Sequence, residues 1–390
     1  MSKIQLSLAG SQASASAFVG WAGNSGSSQG ISYALSQLGF TLTTDQYNAN
    51  WASLLAMGSA ALGTEHVVSP LNGSAFPTVS ATARQPLASS NFLGAWSSAT
   101  SYVAGNVVTY TPSGGYACTF IAIASSTNQA PASYSSPTTT VNTTYWQVYS
   151  AEIWEFTGGS GSLTPFYMKL EYGYSTTAVT DPQMFVQFGS AYAANSGVLS
   201  GNVSLAEQCF SGSGTVAATE CDFAGDGSNY LAMNLFRGGA ANPGPAIVAC
   251  ERSIAGQQSN APLYTSDYVT YVKGYSAAGN WYQQSVFLSG TPATAIRVNY
   301  GNTLTLGAAT ATLIVNNTTP ALPVFPLVGY CGNPLTVLVA QQEADTTEGT
   351  TQAATVYGAS HNYILTKTTF AEAFGGSGQT SSYGVGTRFD

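Results

Sequence analysis

The sequence predicts a mainly β protein: an antiparallel sandwich or barrel-like core with one short N-terminal helix and a small inserted three-stranded β module. Three observations lead there. Charged residues make up 7 % of the 390, against about 25 % in an average soluble domain, so polarity comes from hydroxyls and amides. Forty-two glycines and 16 prolines supply the turn dihedrals of a chain that reverses often. Short runs of β-branched and aromatic residues recur between those turns, as pleated strands require. Disorder is excluded, because it couples low hydrophobicity to high net charge, whereas this chain is 44 % hydrophobic with 23 tyrosines and 17 phenylalanines.

The one helix is expected in "GISYALSQLGF". Ile31, Leu35 and Leu38 share a face, Ser32 is placed to cap the first turn, and Gly39 stands where a left-handed C-terminal residue is wanted. "FTLTTDQYNANW" then reads as a strand running into a loop. Residues 52 to 90 lack periodicity and are broken by Gly58, Gly63, Pro70, Gly73, Pro77 and Pro86, as in an extended arm. "EIWEF" is a strand, and in "TPFYMKLEYG" Phe166, Met168, Leu170 and Tyr172 alternate with Tyr167, Lys169 and Glu171, the pattern of a half-buried strand. After a loop on "YSTTAVTD", the series continues with "PQMFVQFG", "PAIVACERSI", "SDYVTYVKGY", "NWYQQSVFLSG", "TAIRVNYG" and "TLTLGAATATLIVNN". Four prolines in "PALPVFPLVGYCGNP" rule out a central strand and suit an edge or an extended arm. The glycine-rich end "FGGSGQTSSYGVGTRFD" reads as flexible or partner-ordered.

Several function classes are disfavoured. A net charge of −8 with nine scattered basic residues offers no cluster to neutralise phosphates, so nucleic acid is a poor partner. No run approaches 18 apolar residues, which argues against membrane insertion by a helix. "MSKIQLSLAGSQ" is unlike a secretory signal. Cys118, Cys209, Cys221, Cys250 and Cys331 form no CxxC pair and read as free, mostly buried thiols. His66 and His361 are isolated, and Glu65 beside His66 would face the other way in a strand. No G-x-S-x-G elbow or Cys–His signature is present. Paired carboxylates of a glycosidase type would have to come from Glu152, Glu155 and Glu171, but the first two fall on opposite strand faces and Glu171 is in phase with Lys169. Asp222, Asp226 and Asn229 in "CDFAGDGSN" hint at a Ca²⁺ loop yet miss its spacing, and an aspartate–glycine turn explains them. The expectation is no catalytic residue, no metal and no cofactor.

Residues 94 to 150 read as a compact unit. Trp96, Tyr102, Gly105, Val107, Val108, Tyr110, Tyr116 and a closing Trp146 are spaced as in three short strands whose aromatics supply the core. The order W-x5-Y-x2-G-x2-V-x-Y, then Y-x-C-x-F, "NQAP" and a final Y-W, resembles the chitin-binding type-3 carbohydrate-binding module, found on bacterial chitinases and within phage tail proteins. The stretch "ASYSSPTTTVNTTY" is longer than in that family, whose ligand-stacking aromatics lie in this region. The resemblance makes Trp96, Tyr110, Tyr134, Tyr145 and Trp146 carbohydrate-binding candidates, since a flat ring offers apolar area to a sugar's C–H groups. The plainer reading of Trp96, Tyr116 and Trp146 is that they fill the module's core.

The flanking segments "GFTLTTDQYNANW" and "EIWEF…TPFYMKLEYGYS…PQMFVQFGSAYAANSGVLSG" together resemble one unit of tailed-bacteriophage virion proteins, which the module interrupts. The resulting division is residues 1–90 as the N-terminal part of the core with helix and arm, 91–150 as the inserted module, 151–372 as the main β core, and 373–390 as the tail. The two resemblances imply a non-enzymatic virion protein at the tail tip or baseplate, assembled with copies of itself and other virion proteins. Its module would meet a host cell-surface glycan, and it would be made in the host cytoplasm and released by lysis. A secreted glycan-binding or glycan-degrading protein, a bacterial adhesin and a capsid-decorating protein are the alternatives.

Overall fold

The alternating segments pair into antiparallel sheets, and the core forms where their apolar faces meet. The computed structural model describes residues 2–8, 31–47, 83–84, 87–115, 117–135, 138–156, 165–175, 178–194, 196–203, 206–211, 219–237, 246–252, 268–276, 279–287, 294–299, 325–327, 330–332, 337–340, 351–356, 359–369 and 382–390. In chain order the first elements are β1 (Ser2–Leu8), α1 (Ile31–Gln37), β2 (Thr41–Tyr47) and β3 (Ala83–Arg84). The module supplies β4 (Phe92–Ala95), β5 (Ser101–Tyr102), β6 (Val107–Tyr110), β7 (Cys118–Ala122), β8 (Ser126–Thr127), β9 (Ala132–Ser135), β10 (Thr138–Val141) and β11 (Trp146–Val148). The core continues with β12 (Ser150–Phe156), β13 (Phe166–Ser175), β14 (Ala178–Tyr192), β15 (Leu199–Val203), β16 (Ala206–Ser211), β17 (Thr219–Gly225), β18 (Tyr230–Arg237), β19 (Ala246–Arg252), β20 (Tyr268–Ser276), β21 (Gly279–Phe287) and β22 (Thr294–Asn299). Then follow β23 (Phe325–Leu327), β24 (Tyr330–Gly332), β25 (Val337–Ala340), β26 (Thr351–Val356), β27 (Ala359–Thr369) and β28 (Ser382–Arg388).

One large sheet runs β1-β17-β18-β19-β20-β21-β22, and the other runs β2-β12-β13-β14-β16-β3 with β15 also on β14. Trp154, Phe156, Phe166, Met168, Leu170 and Phe188 of the second sheet join Phe223, Leu231, Met233, Leu235 and Val248 of the first in one buried cluster. The helix adds Ile31, Ala34 and Leu35, followed by Leu38 and Phe40. Phe40 meets Phe156 edge to face at 4.7 Å, and Phe166 stacks on Phe188 at 6.0 Å. Two sheets and a helix that share apolar faces leave water in this way at about 25 cal/mol per Å² of buried area.

Ser32 takes a role other than the expected cap. It sits inside α1, and its Oγ lies 2.7 and 2.9 Å from the two oxygens of buried Glu152, whose Oε2 also accepts from Trp154 Nε1 at 3.1 Å. The hydroxyl is thus turned inward, onto the carboxylate that β12 carries. Gly39 does end the helix in the left-handed region, at φ +90, with Phe40 N–H donating to the Leu35 carbonyl. It abuts Gly227, φ +74, in the β17–β18 turn, where an added Cβ would stand 2.5 Å from the Gly39 oxygen. Asp226 holds that turn by accepting from the backbone N–H groups of Ser228, Asn229 and Tyr230 and from the Asn229 side chain. Burial alone would raise its carboxyl, but those hydrogen bonds outweigh it and keep the group below its usual 3.8. The aspartate–glycine turn thus accounts for Asp226 and Asn229, and Asp222 is buried on β17.

Two expectations are corrected. "YSTTAVTD" is not a long loop, for β13 runs to Ser175 and β14 starts at Ala178, with Pro182 paired to Tyr174 beside a bulge. The tail is not wholly loose, because Ser382–Arg388 is a strand between β25 and β27. What fastens it is a polar clasp invisible in the local sequence. Asp390 accepts from Arg388 Nε at 2.7 Å and from the Asn362 N–H at 3.2 Å, and its Oδ2 lies 3.1 Å from His361 Nδ1. The Tyr230 hydroxyl donates to the Asp390 carbonyl at 2.7 Å, with the Arg388 guanidinium 4.1 Å from its ring centre. Among the described residues the proline-rich stretch supplies the two-stranded β23–β24 pair. Residues 52–82, His66 and "TLTLGAATATLIVNN" lie outside the described residues.

Two outcomes follow from this packing. Gly227→Ala forces a side chain into a left-handed turn against backbone and should cost about 1–3 kcal/mol, read as a lower urea midpoint. Burial, with smaller contributions from Asp390, Asp226 and Glu251 against the opposing charge of Arg388, pushes the Tyr230 hydroxyl up to about 12 from 10.0. A folded-state value above the unfolded one means stability that is intact below pH 10 and lost as pH rises from there to about 12. Tyr230→Phe should therefore flatten that part of the alkaline unfolding profile.

Candidate functional site

The module lies in the chain between β3 and β12, which both belong to the second large sheet, β3 at the edge beside β16 and β12 beside β2. Its two stems meet at Phe92 and Tyr149, whose rings lie edge to face at 5.9 Å, so the insertion closes at small entropic cost. Its own sheet runs β11-β7-β6-β4, with β4 parallel to β6, and the two-stranded pairs β5–β8 and β9–β10 lie off that sheet. Expectation put three strands here. The short paired segments are more numerous because turns such as Val103–Asn106 and Pro112–Gly115 fold back within a few residues.

The five candidate residues separate. Trp146 is fully buried, meets Tyr102 edge to face at 5.1 Å, and donates its Nε1 hydrogen to the Gln129 carbonyl at 2.8 Å. It is a core residue and presents no face to a sugar, which corrects its place among the candidates. Tyr145 is half-buried in the turn before β11, with its carbonyl accepting from Ile123 N–H. Trp96 and Tyr110 form a half-buried edge-to-face pair 5.2 Å apart, joined by the Trp96 N–H to Thr109 carbonyl bond at 2.8 Å. Tyr134, also half-buried, lies over the Pro112–Gly115 turn that follows Tyr110, where a Cβ on Gly115 would come within 3.1 Å of its ring. Trp96, Tyr110 and Tyr134 thus gather at the end of the module where β6 turns into β7. Tyr145 belongs to the other end, since Tyr110 pairs with Cys118 while Trp146 pairs with Ala122. Tyr116 lies outside the described residues.

The module's other face, Val107 and Ile121, packs with Leu87, Phe92, Tyr149 and Ala151 against the scaffold. At this junction Lys169 and Glu171, expected on a polar face, form an ion pair at 2.9 Å with side chains only 2 % and 6 % exposed. Glu171 also accepts from the Tyr149 hydroxyl at 2.9 Å, and Lys169 donates to the Gly197 carbonyl at 2.9 Å. The ammonium lies 5.6 Å from the ring centres of both Phe92 and Tyr149, which meet edge to face at 5.9 Å. Gly197, φ +71, is required here, because a Cβ would overlap the Phe92 ring. Phe92 stands on the strand that enters the module and Tyr149 on the segment that leaves it, so both stems close on one buried cation. Sequence alternation placed Lys169 and Glu171 in phase, but nothing local shows that the face they share is covered.

Glu152 and Glu155 do face opposite sides, the first in the core beside Ser32 and the second half-exposed. Among the described residues no group of three or more His, Cys, Asp or Glu could hold a metal ion, and no helix is long and apolar enough to cross a membrane. Cys118, Cys221 and Cys250 are buried free thiols. Comparison with protein-family models, curated proteins and solved structures finds no match to this chain.

Removing one partner of a buried ion pair strands the other. Lys169→Met should therefore lower stability by about 3–5 kcal/mol, and the double change Lys169→Met with Glu171→Leu should recover much of it, as chemical denaturation of the three proteins would show.

Proposed function

We propose that the chain is a non-enzymatic structural protein of a tailed-bacteriophage virion, at the tail tip or baseplate, which presents the module of residues 91–150 toward the host surface. The resemblances of the module and of its flanks support this reading. The observation that carries it is the seating of the module. Its two stems meet at Phe92 and Tyr149 over Lys169 of the scaffold sheet, and Trp96, Tyr110 and Tyr134 stay half-buried at one end. Flat rings held at a tip by a rigid base suit contact with a glycan, whose C–H faces stack on aromatic surface. Copies of the chain and other virion proteins are the assembly partners in this reading.

Deleting the module would uncover Lys169 and Glu171, so point substitutions test the idea more cleanly. Light scattering on the purified protein should give a symmetric oligomer, and pull-downs should retain it on at least one of chitin, peptidoglycan and host lipopolysaccharide. The Trp96→Ala and Tyr110→Ala variant should lose that retention about tenfold with its far-ultraviolet spectrum unchanged, as the loss of stacked rings implies. A monomer indifferent to all three surfaces would overturn the proposal.

A further inference from the structure

The face of the second sheet that carries the module is only partly covered. Along β12 the residues on this face are Ala151, Ile153 and Glu155, and along β13 they are Glu171, Lys169 and Tyr167. Ala151, Ile153, Lys169 and Glu171 are buried, while Glu155 and Tyr167, opposite each other in register, are half-exposed. Tyr192 at the end of β14 completes a cluster with them. Its ring lies 5.3 Å from that of Tyr167 at 44°, a tilted contact between two half-buried phenols. Burial raises the Tyr167 hydroxyl above its ordinary 10.0, and the nearby Glu155 carboxylate and Tyr192 raise it further.

We infer that Glu155, Tyr167 and Tyr192 form a second sugar-contact surface, on the scaffold sheet beside the base of the module, which takes a neutral oligosaccharide. The chemistry selects that class. Two tilted phenol rings offer apolar area to the C–H face of a pyranose, and a carboxylate between strands accepts hydrogen bonds from its hydroxyls. Acidic sugars are disfavoured by Glu155 and by the chain's net charge of −8. Lys169, the cation on the same face, is already engaged by Glu171 and the Gly197 carbonyl. The surface is preformed, because all three side chains project from paired strands. Tyr167 pairs with Gly189 and Tyr192 with Leu199, and Leu199 fills the space that a side chain at Gly189 would need, 2.8 Å from an added Cβ. The inference does not depend on the module's own aromatic tip.

The test is titration calorimetry of the full chain with chitohexaose and cellohexaose as neutral probes and a hexagalacturonate as the acidic one. Wild type should bind a neutral hexasaccharide and not the acidic one. Tyr192→Leu, which keeps apolar bulk but loses the flat face, should weaken binding at least about fivefold, in line with one stacked ring. Glu155→Gln should weaken it about tenfold through loss of a charged acceptor. Trp96→Ala reports on the module's tip separately and should leave this component of the binding in place. The inference is overturned if wild type binds neither neutral probe, if it prefers the acidic one, or if either scaffold variant binds as wild type does. Complete loss of binding in Trp96→Ala would overturn it too, since all the affinity would then reside in the module.

Discussion

The arrangement of the whole chain turns on one buried cation. A lysine ammonium taken out of water needs a counter-charge, hydrogen-bond acceptors and polarizable surroundings, or its desolvation costs several kcal/mol. Lys169 finds all of these in one place: Glu171 two residues along its own strand, the Gly197 carbonyl, and the rings of Phe92 and Tyr149. Each partner comes from a different part of the chain. The pair also meets both stems of the module, since the Tyr149 hydroxyl donates to Glu171 and the rings of Phe92 and Tyr149 face the ammonium. Apolar contact through Val107 and Ile121 would fix the module's distance from the sheet, but a slippery apolar surface would define its rotation less well than directed bonds do.

The opposite face of the same sheet is organised on different physics. There Trp154, Phe166, Met168 and Phe188 join the other sheet and the helix in an apolar cluster, and the carboxylate of Glu152 is held beside it by Ser32 and Trp154. The helix is brought close to the β17–β18 turn by a glycine from each side, Gly39 and Gly227. A single sheet thus carries a dry apolar core on one side and a polar, keyed junction on the other. The period-two alternation of "FYMKLEYG" is the record of that division.

This explains what could be read from the sequence and what could not. The alternating strands from Ser150 to Phe156 and from Phe166 onward, the series around Ile247, Val269 and Trp281, and the helix with its Gly39 terminus were legible because period and turn residues are local signals. Trp146 as core was also available from its place at the close of a small aromatic unit. By contrast, "SYGVGTR" offers only Tyr383 and Val385 among glycines and hydroxyls, so it resembles a loose tail. It becomes a strand only through β25 and β27 and the clasp around Asp390, all of which are tertiary. Strand β1 escaped notice for a similar reason, since its partner lies beyond residue 218. Burial of Lys169 and Glu171 was hidden because alternation tells which residues share a face and says nothing of what later covers it.

The pairing of β1 with β17 bears on how the protein is made. Leu8 is opposite Thr219, so the ribosome must add 219 − 8 = 211 residues before the first strand has its neighbour. At 5–20 residues per second that is a wait of about 10 to 40 s. During this interval the alternating "KIQLSL" is an unpaired edge, a template for chance pairing with another nascent chain. The helix, β2 and the module can find their partners earlier, because β12 and β13 emerge well before β17. Order of emergence therefore favours the module-bearing sheet, and the first strand stays open to its copies until Thr219–Gly225 arrives.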